Sequence, residues 1–203
     1  GREGMNVVMA DSPQDTLATA EATLNEQGIP ILALTADARS EADWDRVAYA
    51  ALGRFGAIHA LMNNAGVGGG GSTGPIEDHS AEDWRWTIDV NLMGVVFGMK
   101  SVVPHIKAAD GGWIVNVASM AGMNGFPYGG AYNATKLAVA GLSEGWSIEL
   151  SPFGIHVAAL CPGFVRTRIY LSDRVRPSDY DDSHRELVVL DEDLDSELSL
   201  IHI

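Results

Sequence analysis

The sequence predicts an α/β fold, a doubly wound parallel sheet of three layers, incomplete at both ends. Three observations carry this. Short apolar segments alternate with stretches of helical period about five times along the chain. The short segments are apolar and β-branched throughout, as parallel strands covered on both faces must be. The chain has 203 residues, enough for one domain with a core and too few for two comfortable ones.

The elements follow in order. Gly1 to Gly4 reads as a helix tail and its glycine stop, and Met5–Ala10 as a buried strand. Pro13–Gln27 carries a helical stripe at Leu17, Ala18, Ala20 and Leu24, closed by Gly28. Ile29–Thr35 is the next strand. Ser40–Phe55 reads as a helix capped by Ser40, with a stripe at Trp44, Val47, Ala48 and Ala51. Ile58–Asn63 is a strand, followed by a glycine-rich loop. Ser80–Ile106 is predicted as one long helix, with Ser80 as cap and Glu82 and Asp83 in its first turn. Trp113–Ala118 is a strand, Ala131–Leu150 a helix, and Ile155–Leu160 the last clear strand. After Arg168 the alternation fades.

Composition narrows the function. Apolar residues make up 46% and charged residues 20%, which describes a soluble globular chain. Thirteen basic against 27 acidic residues give a net charge of −14, the wrong sign for a nucleic-acid binder. A single cysteine fits a reducing compartment, and the expectation is a cytoplasmic protein. No uninterrupted apolar run approaches the ~20 residues of a membrane helix, and the opening GREGMNVVMAD has no signal-peptide order. No membrane partner and no metal site are expected.

The chemistry sits in the second half. Tyr132 and Lys136 are four apart in AYNATK, which puts both side chains on one helix face. A free phenol, with a pKa near ~10, is a poor acid or base at neutral pH. A neighbouring ammonium favours the phenolate, so the pair can pass a proton to or from an alcohol or carbonyl oxygen. Ser119 ends the strand WIVNVAS, where a hydroxyl at the carboxyl edge of a parallel sheet points into the ligand crevice. Asn91, in DVNLMGV, is an amide in mid-helix, where its propensity is low. Asn63-Asn64-Ala65-Gly66 suits a turn that lets a flat ligand approach the backbone; alone it describes only a turn.

Jointly these residues resemble the short-chain dehydrogenase/reductases. NNAG at 63–66, Asn91, Ser119, Tyr132-x-x-x-Lys136 and Pro162-Gly163 stand in that family's order and spacing, over Gly1 to about Thr167. The resemblance implies a Rossmann-type NAD(P)-dependent oxidoreductase acting on a small carbonyl or secondary alcohol. It makes Tyr132 the proton donor or acceptor and has Ser119 hold the substrate oxygen. Lys136 would bind the nicotinamide ribose, and Asn91 would hold a water in the proton relay. Asn64, Ala65 and Gly66 would line the adenosine side of the cofactor. In CPGFVRT, Pro162, Gly163, Val165 and Thr167 would cradle the nicotinamide amide. Asp11 ends the strand NVVMAD, where the family places a carboxylate on the adenosine ribose. A carboxylate there repels a 2′-phosphate, so NAD is expected over NADP. Asp37 and the backbone amide of Ala38 would meet the adenine. Met120, Met123, Phe126 and Tyr128, between Ser119 and Tyr132, are expected to line an apolar substrate pocket.

The family's first strand and its T-G-x-x-x-G-x-G turn are absent from the sequence as given. The hit Gly66-Val67-Gly68-Gly69-Gly70-Gly71 is not a substitute. A pyrophosphate loop must open a helix at once, and no helix is predicted before Ser80. Residues 67–76 read instead as a loop at the mouth of the site. Without an inner strand the core gains a trench, so the chain is expected to be an incomplete domain that binds dinucleotide weakly and is itself inactive, with the hydride transfer expected of the intact parent protein. Residues 1–182 form the truncated domain. Residues 183–197 read as an acidic continuation of a substrate lid. Asp179 to Glu197 holds nine of the 27 acids, with Arg185 its only Lys or Arg. Leu198–Ile203, LSLIHI, is what a common sequencing adapter encodes in frame, and it is excluded from the fold argument. Trp84, Trp86, Val95, Val96, Phe97 and Trp146 exceed what one helix face can bury, so a homodimer or homotetramer through the long helices is expected. The alternatives are a dinucleotide sensor of the same fold, or an epimerase or lyase built on it.

Overall fold

The computed structural model describes residues 1–12, 14–69 and 73–180. The acidic stretch 183–197 and the terminal hexapeptide therefore lie outside the described residues. Residues 1–4 form a turn, with the Gly4 amide donating to the Gly1 carbonyl. β1 (Val7–Asp11) and β2 (Ile31–Thr35) pair in parallel, with Val7 opposite Ile31 and Asp11 opposite Thr35. α1 (Gln14–Glu26) connects them. β3 (Ala60–Asn63), β4 (Gly112–Val117) and β5 (Ile155–Leu160) form a second parallel sheet in that order. The helices are α2 (Glu41–Phe55), α3 (Ala81–Ile88), α4 (Gly94–Ala108) and α5 (Gly130–Leu150).

The helix ends follow sequence chemistry. Ser40 accepts from the Asp43 amide at the start of α2, and Gly56, at φ +85°, closes that helix in the left-handed region. Ser80 and Asp83 form a reciprocal capping box at the start of α3. The core is an apolar cluster of Val95, Met99, Val102 and Ile106 from α4 with Ile114, Ile155, Val139 and Leu150. Ile106, Ile114, Val139 and Ile155 are at most 1% exposed. Burial of each such side chain contributes roughly 1.5–3 kcal/mol.

The predicted Ser80–Ile106 helix is interrupted. Residues Asp89–Met93 form a π turn between α3 and α4, with the Gly94 amide reaching back five residues to the Asp89 carbonyl. Residue periodicity does not reveal such an insertion, and π turns concentrate at functional sites. Asn91 sits within it. The whole helical stretch Ala81–Ala108 has the length and composition to cross a membrane, but its most apolar window is half buried in the fold, as a core helix is.

A buried polar chain joins three elements. Asn63 Nδ2 donates to Asn116 Oδ1, and Asn116 Nδ2 donates to Ser143 Oγ, which donates to the Val139 carbonyl. Gly98 lies against this chain. A Cβ there would fall 2.2 Å from Asn63 Oδ1 and 3.1 Å from the Trp44 ring. Because Asn63 is 3% exposed and cannot swing away, Gly98→Ala is expected to cost about 1–3 kcal/mol, read as a lowered urea midpoint. An unchanged midpoint would show that Asn63 can yield.

The two sheets face one another across a cavity of about 1700 Å³. Val8 and Ala10 of β1 line it from one side, and Ala60, Leu61 and Met62 of β3 from the other. Val47, Ala48 and Ala51 of α2 also line it. Among the described residues β1 pairs only with β2, and β3 only with β4. The doubly wound layers are therefore present, with a gap where a sheet of this type has an inner strand.

Candidate active site

The same cavity runs to the carboxyl ends of the strands. Ser119 follows β4 in extended conformation and caps a tight turn, Met120–Gly122, its Oγ accepting from the Ala121 amide at 3.1 Å. The turn is fixed on both sides. The Met120 amide donates to the Pro162 carbonyl, and a Cβ on Gly122 would lie 2.6 Å from the Lys136 carbonyl oxygen. Only glycine lets the Ser119 turn pack so closely on α5.

Tyr132 and Lys136 lie on the first two turns of α5. Lys136 Nζ is 5.7 Å from the centre of the Tyr132 ring and donates to the Val117 carbonyl at 2.9 Å. The Tyr132 ring packs on Gly68, where an added Cβ would stand 3.1 Å away. Lys136 is 3% exposed, and burial pushes its ammonium down from 10.5 to about 8. The folded state thus loses its proton at a lower pH than the unfolded chain does. Between about 8 and 10.5 the unfolded state holds more protons, so this group's contribution to stability rises with pH through that window. Lys136→Met is expected to remove about 3 kcal/mol of that pH-dependent rise. Urea denaturation from pH 7 to 10.5 checks it, and parallel profiles for the two proteins would refute it.

Most of the residues singled out in the sequence line this cavity. Ser119, Tyr132 and Lys136 do so, as do Asp11, Asp37 and Ala38 near the ends of β1 and β2. Asn64, Ala65 and Gly66 line it after β3, and Pro162, Gly163, Val165 and Thr167 after β5. Met120, Phe126 and Tyr128 are on its wall, whereas Met123, 68% exposed, lies outside the lining.

Two of the expected site residues are engaged by partners within the chain. Asn91 is fully enclosed: its Oδ1 accepts from the Val67 amide and its Nδ2 donates to the Val67 carbonyl. Its side chain clamps the loop after β3 and is not part of the cavity lining. Asp37 is occupied by Arg39, whose guanidinium grips both carboxylate oxygens, at 2.6 Å to Oδ2. Burial works to raise the Asp37 carboxyl, but the hydrogen bonds and charge of Arg39 outweigh it and hold it below the usual range. Arg39 in turn lies 5.2 Å from the Tyr180 ring, and Tyr180 donates to Asp89 Oδ2. Nothing in the ADARS pattern marks Arg39 as part of the site. Asp11 remains accessible at the cavity end, with Oδ1 accepting from the Ser12 amide.

The segment after Thr167 crosses the site. Ser172 Oγ accepts from the Gly68 amide at 3.1 Å, and Arg176 forms a buried ion pair with Asp83 at 2.6 Å. The short chain dehydrogenase family profile matches residues 1–175.

The chain belongs to the short-chain dehydrogenase family.

Among similar proteins, this family member is 34% identical over 182 residues to the CLA biosynthesis dehydrogenase/reductase of Lactiplantibacillus plantarum, covering 88% of the chain and 63% of that protein. It is 38% identical over 170 residues to the trans-4-hydroxycyclohexanecarboxylate dehydrogenase of Sinomonas cyclohexanicum, covering 81% and 64%. The chain thus spans less than two thirds of the length of these curated relatives. A Burkholderia phymatum short chain dehydrogenase/reductase solved in complex with NAD superposes with a TM-score of 0.86 at 36% identity, over 96% of this chain and 69% of that one. Actinorhodin polyketide ketoreductase with NADPH gives a TM-score of 0.79 at 32% identity, over 88% and 68%. Short-chain dehydrogenases similar to this one thus bind either nicotinamide dinucleotide.

Proposed function

We propose that the protein interconverts a secondary alcohol and a carbonyl by hydride transfer, with NAD as its preferred cofactor. The observation that carries this is that Ser119, Tyr132 and Lys136 line one cavity, with the Lys136 cation 5.7 Å from the Tyr132 ring. The lining suits a dinucleotide. The Asp11 carboxylate stands at one end, and Gly66 leaves a cradle beside Lys136, where a Cβ would intrude to 3.3 Å of Nζ. Asp11 disfavours a 2′-phosphate. Adenine binding at Asp37 and Ala38 requires Arg39 to share the carboxylate.

When bound, the nicotinamide supplies hydride-transfer chemistry. The chain's own groups handle the oxygen. Tyr132 gives a proton to the carbonyl oxygen in reduction and takes it from the alcohol in oxidation. Ser119, already accepting from the Ala121 amide, keeps its O–H to donate to that same oxygen. Lys136 sets a positive charge beside the phenol, and Asn91 holds the loop that the Tyr132 ring packs against. Met120, Phe126 and Tyr128, all well exposed on the wall, favour an apolar substrate. The test is NADH formation from a panel of apolar secondary alcohols by the chain extended with an apolar strand and a glycine-rich turn ahead of Gly1. Quenching of NADH fluorescence with no consumption across the matching ketones would indicate a sensor and end the enzyme reading.

The gap between β1 and β3 supports weak dinucleotide binding by this chain alone. Homo-oligomerisation through the long helices also remains our reading, on different residues than the sequence suggested. Trp86 and Val95 are taken into the chain's own core, while Leu137, Leu142 and Ile148 of α5 are 45%, 37% and 78% exposed. The free Cys161 suits a cytoplasmic setting.

A further inference from the structure

Charge is distributed unevenly along the cavity. Its carboxylates Asp11 and Asp37 lie near the ends of β1 and β2, and Asp37 is neutralised by Arg39. After Thr167 the lining includes Arg168 and Arg174. Neither forms an ion pair among the described residues, in a chain with 27 acids and 13 bases. Arg174 donates through one nitrogen to the carbonyls of Arg168 and Leu171, which pins the backbone of the segment carrying both arginines. Ile169, next to Arg168, packs on Gly68 beside the Tyr132 ring; a Cβ at Gly68 would be 3.5 Å from Ile169 and 3.1 Å from Tyr132. Arg168 and Arg174 line the same cavity as Tyr132, Phe126, Tyr128 and Phe164, and the backbone beside Arg168 reaches the Tyr132 ring through Ile169.

We infer that Arg168 and Arg174 are specificity-determining residues that receive a carboxylate, so that the substrate is an apolar hydroxy acid or keto acid with its anionic group set apart from the reacting carbon. This rests on the alcohol–carbonyl reading of the site and names its substrate class. A guanidinium pairs with a carboxylate through two parallel hydrogen bonds, which fixes orientation as well as charge. The hydrocarbon between the two polar ends lies against the aromatic wall, and the alcohol or carbonyl faces Tyr132 and Ser119. On a chain of net charge −14 an anion is repelled at a distance. The local pair of unmatched cations reverses that at the mouth, where a low-dielectric wall strengthens it.

The test compares cyclohexanecarboxylate with its uncharged methyl ester, binding to the chain being followed by ligand-observed NMR titration. The carboxylate is expected to bind at least tenfold more tightly than the ester, with the difference shrinking as salt is raised. In R168Q/R174Q the two ligands are expected to bind alike, with the ester unchanged from the unaltered chain. Both side chains are exposed, so the variant should keep its circular dichroism spectrum. R168K, which keeps the charge and loses the planar fork, should retain an intermediate preference. Equal binding of acid and ester by the unaltered chain, no binding of either, or a preference that survives R168Q/R174Q would each overturn the inference. The oxidoreductase reading is judged separately, by NADH formation from uncharged alcohols, which involves neither arginine.

Discussion

Tyr132→Phe is expected to lower the rate of NADH formation by about 10²–10⁴-fold, the usual span for losing a general acid–base group. The measurement is single-turnover oxidation of a secondary alcohol at saturating NAD, in the chain extended by an apolar strand and a glycine-rich turn ahead of Gly1. The effect should fall on the rate constant and leave substrate and cofactor affinity within about twofold, because only the hydroxyl is removed. The ring's contact with Gly68 is retained by phenylalanine, so the fold gives no separate reason for a loss. The Lys136–Val117 hydrogen bond does not involve the phenol and should also persist. A variant that turns over at the original rate would remove Tyr132 from the chemistry, whatever family the chain belongs to.

The second large effect concerns the gap in the sheet. The 203-residue chain is expected to bind NAD only at millimolar concentration, measured by calorimetry. Joining an apolar strand and a glycine-rich turn ahead of Gly1 is expected to tighten binding by about 100-fold or more and to raise the melting temperature. Two physical terms act together. A strand inserted between β1 and β3 gives hydrogen-bond partners to both inner edges and replaces cavity by packed side chains. The turn that follows it brings backbone amides and a helix N-terminus to the pyrophosphate. The cavity lined by Val8, Ala10, Ala60 and Met62 is the structural basis for the expectation. Micromolar NAD binding with a cooperative melt by the unextended chain would contradict it.

Much of this was legible from the sequence, for identifiable reasons. Parallel strands buried on both faces leave unbroken apolar runs, so all five strands lie where the hydrophobic runs put them, with ends shifted by a few residues. Ser40 and Ser80 announce their helices because caps are local chemistry. Ser119, Tyr132 and Lys136 line one cavity because a strand end and a four-residue helical step are both set by backbone geometry. What escaped was tertiary. The π turn at Asp89–Met93 carries Asn91, whose side chain grips Val67, a contact between residues 24 positions apart. The pairing of Asp37 with Arg39 is a choice of rotamer that no periodicity encodes. Trp86 looked like surplus surface on its helix, but it is buried, with the Arg176 guanidinium 5.1 Å from its ring.

The buried amides of Asn63 and Asn116 have a consequence for how the strands find each other. They are direct partners across β3 and β4. Sliding one strand by two positions would keep every apolar residue on its proper face, and hydrophobicity alone would tolerate the error. It would also part the two amides and strand them, unbonded, in the interior, at a cost of about 1–3 kcal/mol for each polar group left without a partner. The pair works as a vernier mark, favouring the native register over its slipped neighbours.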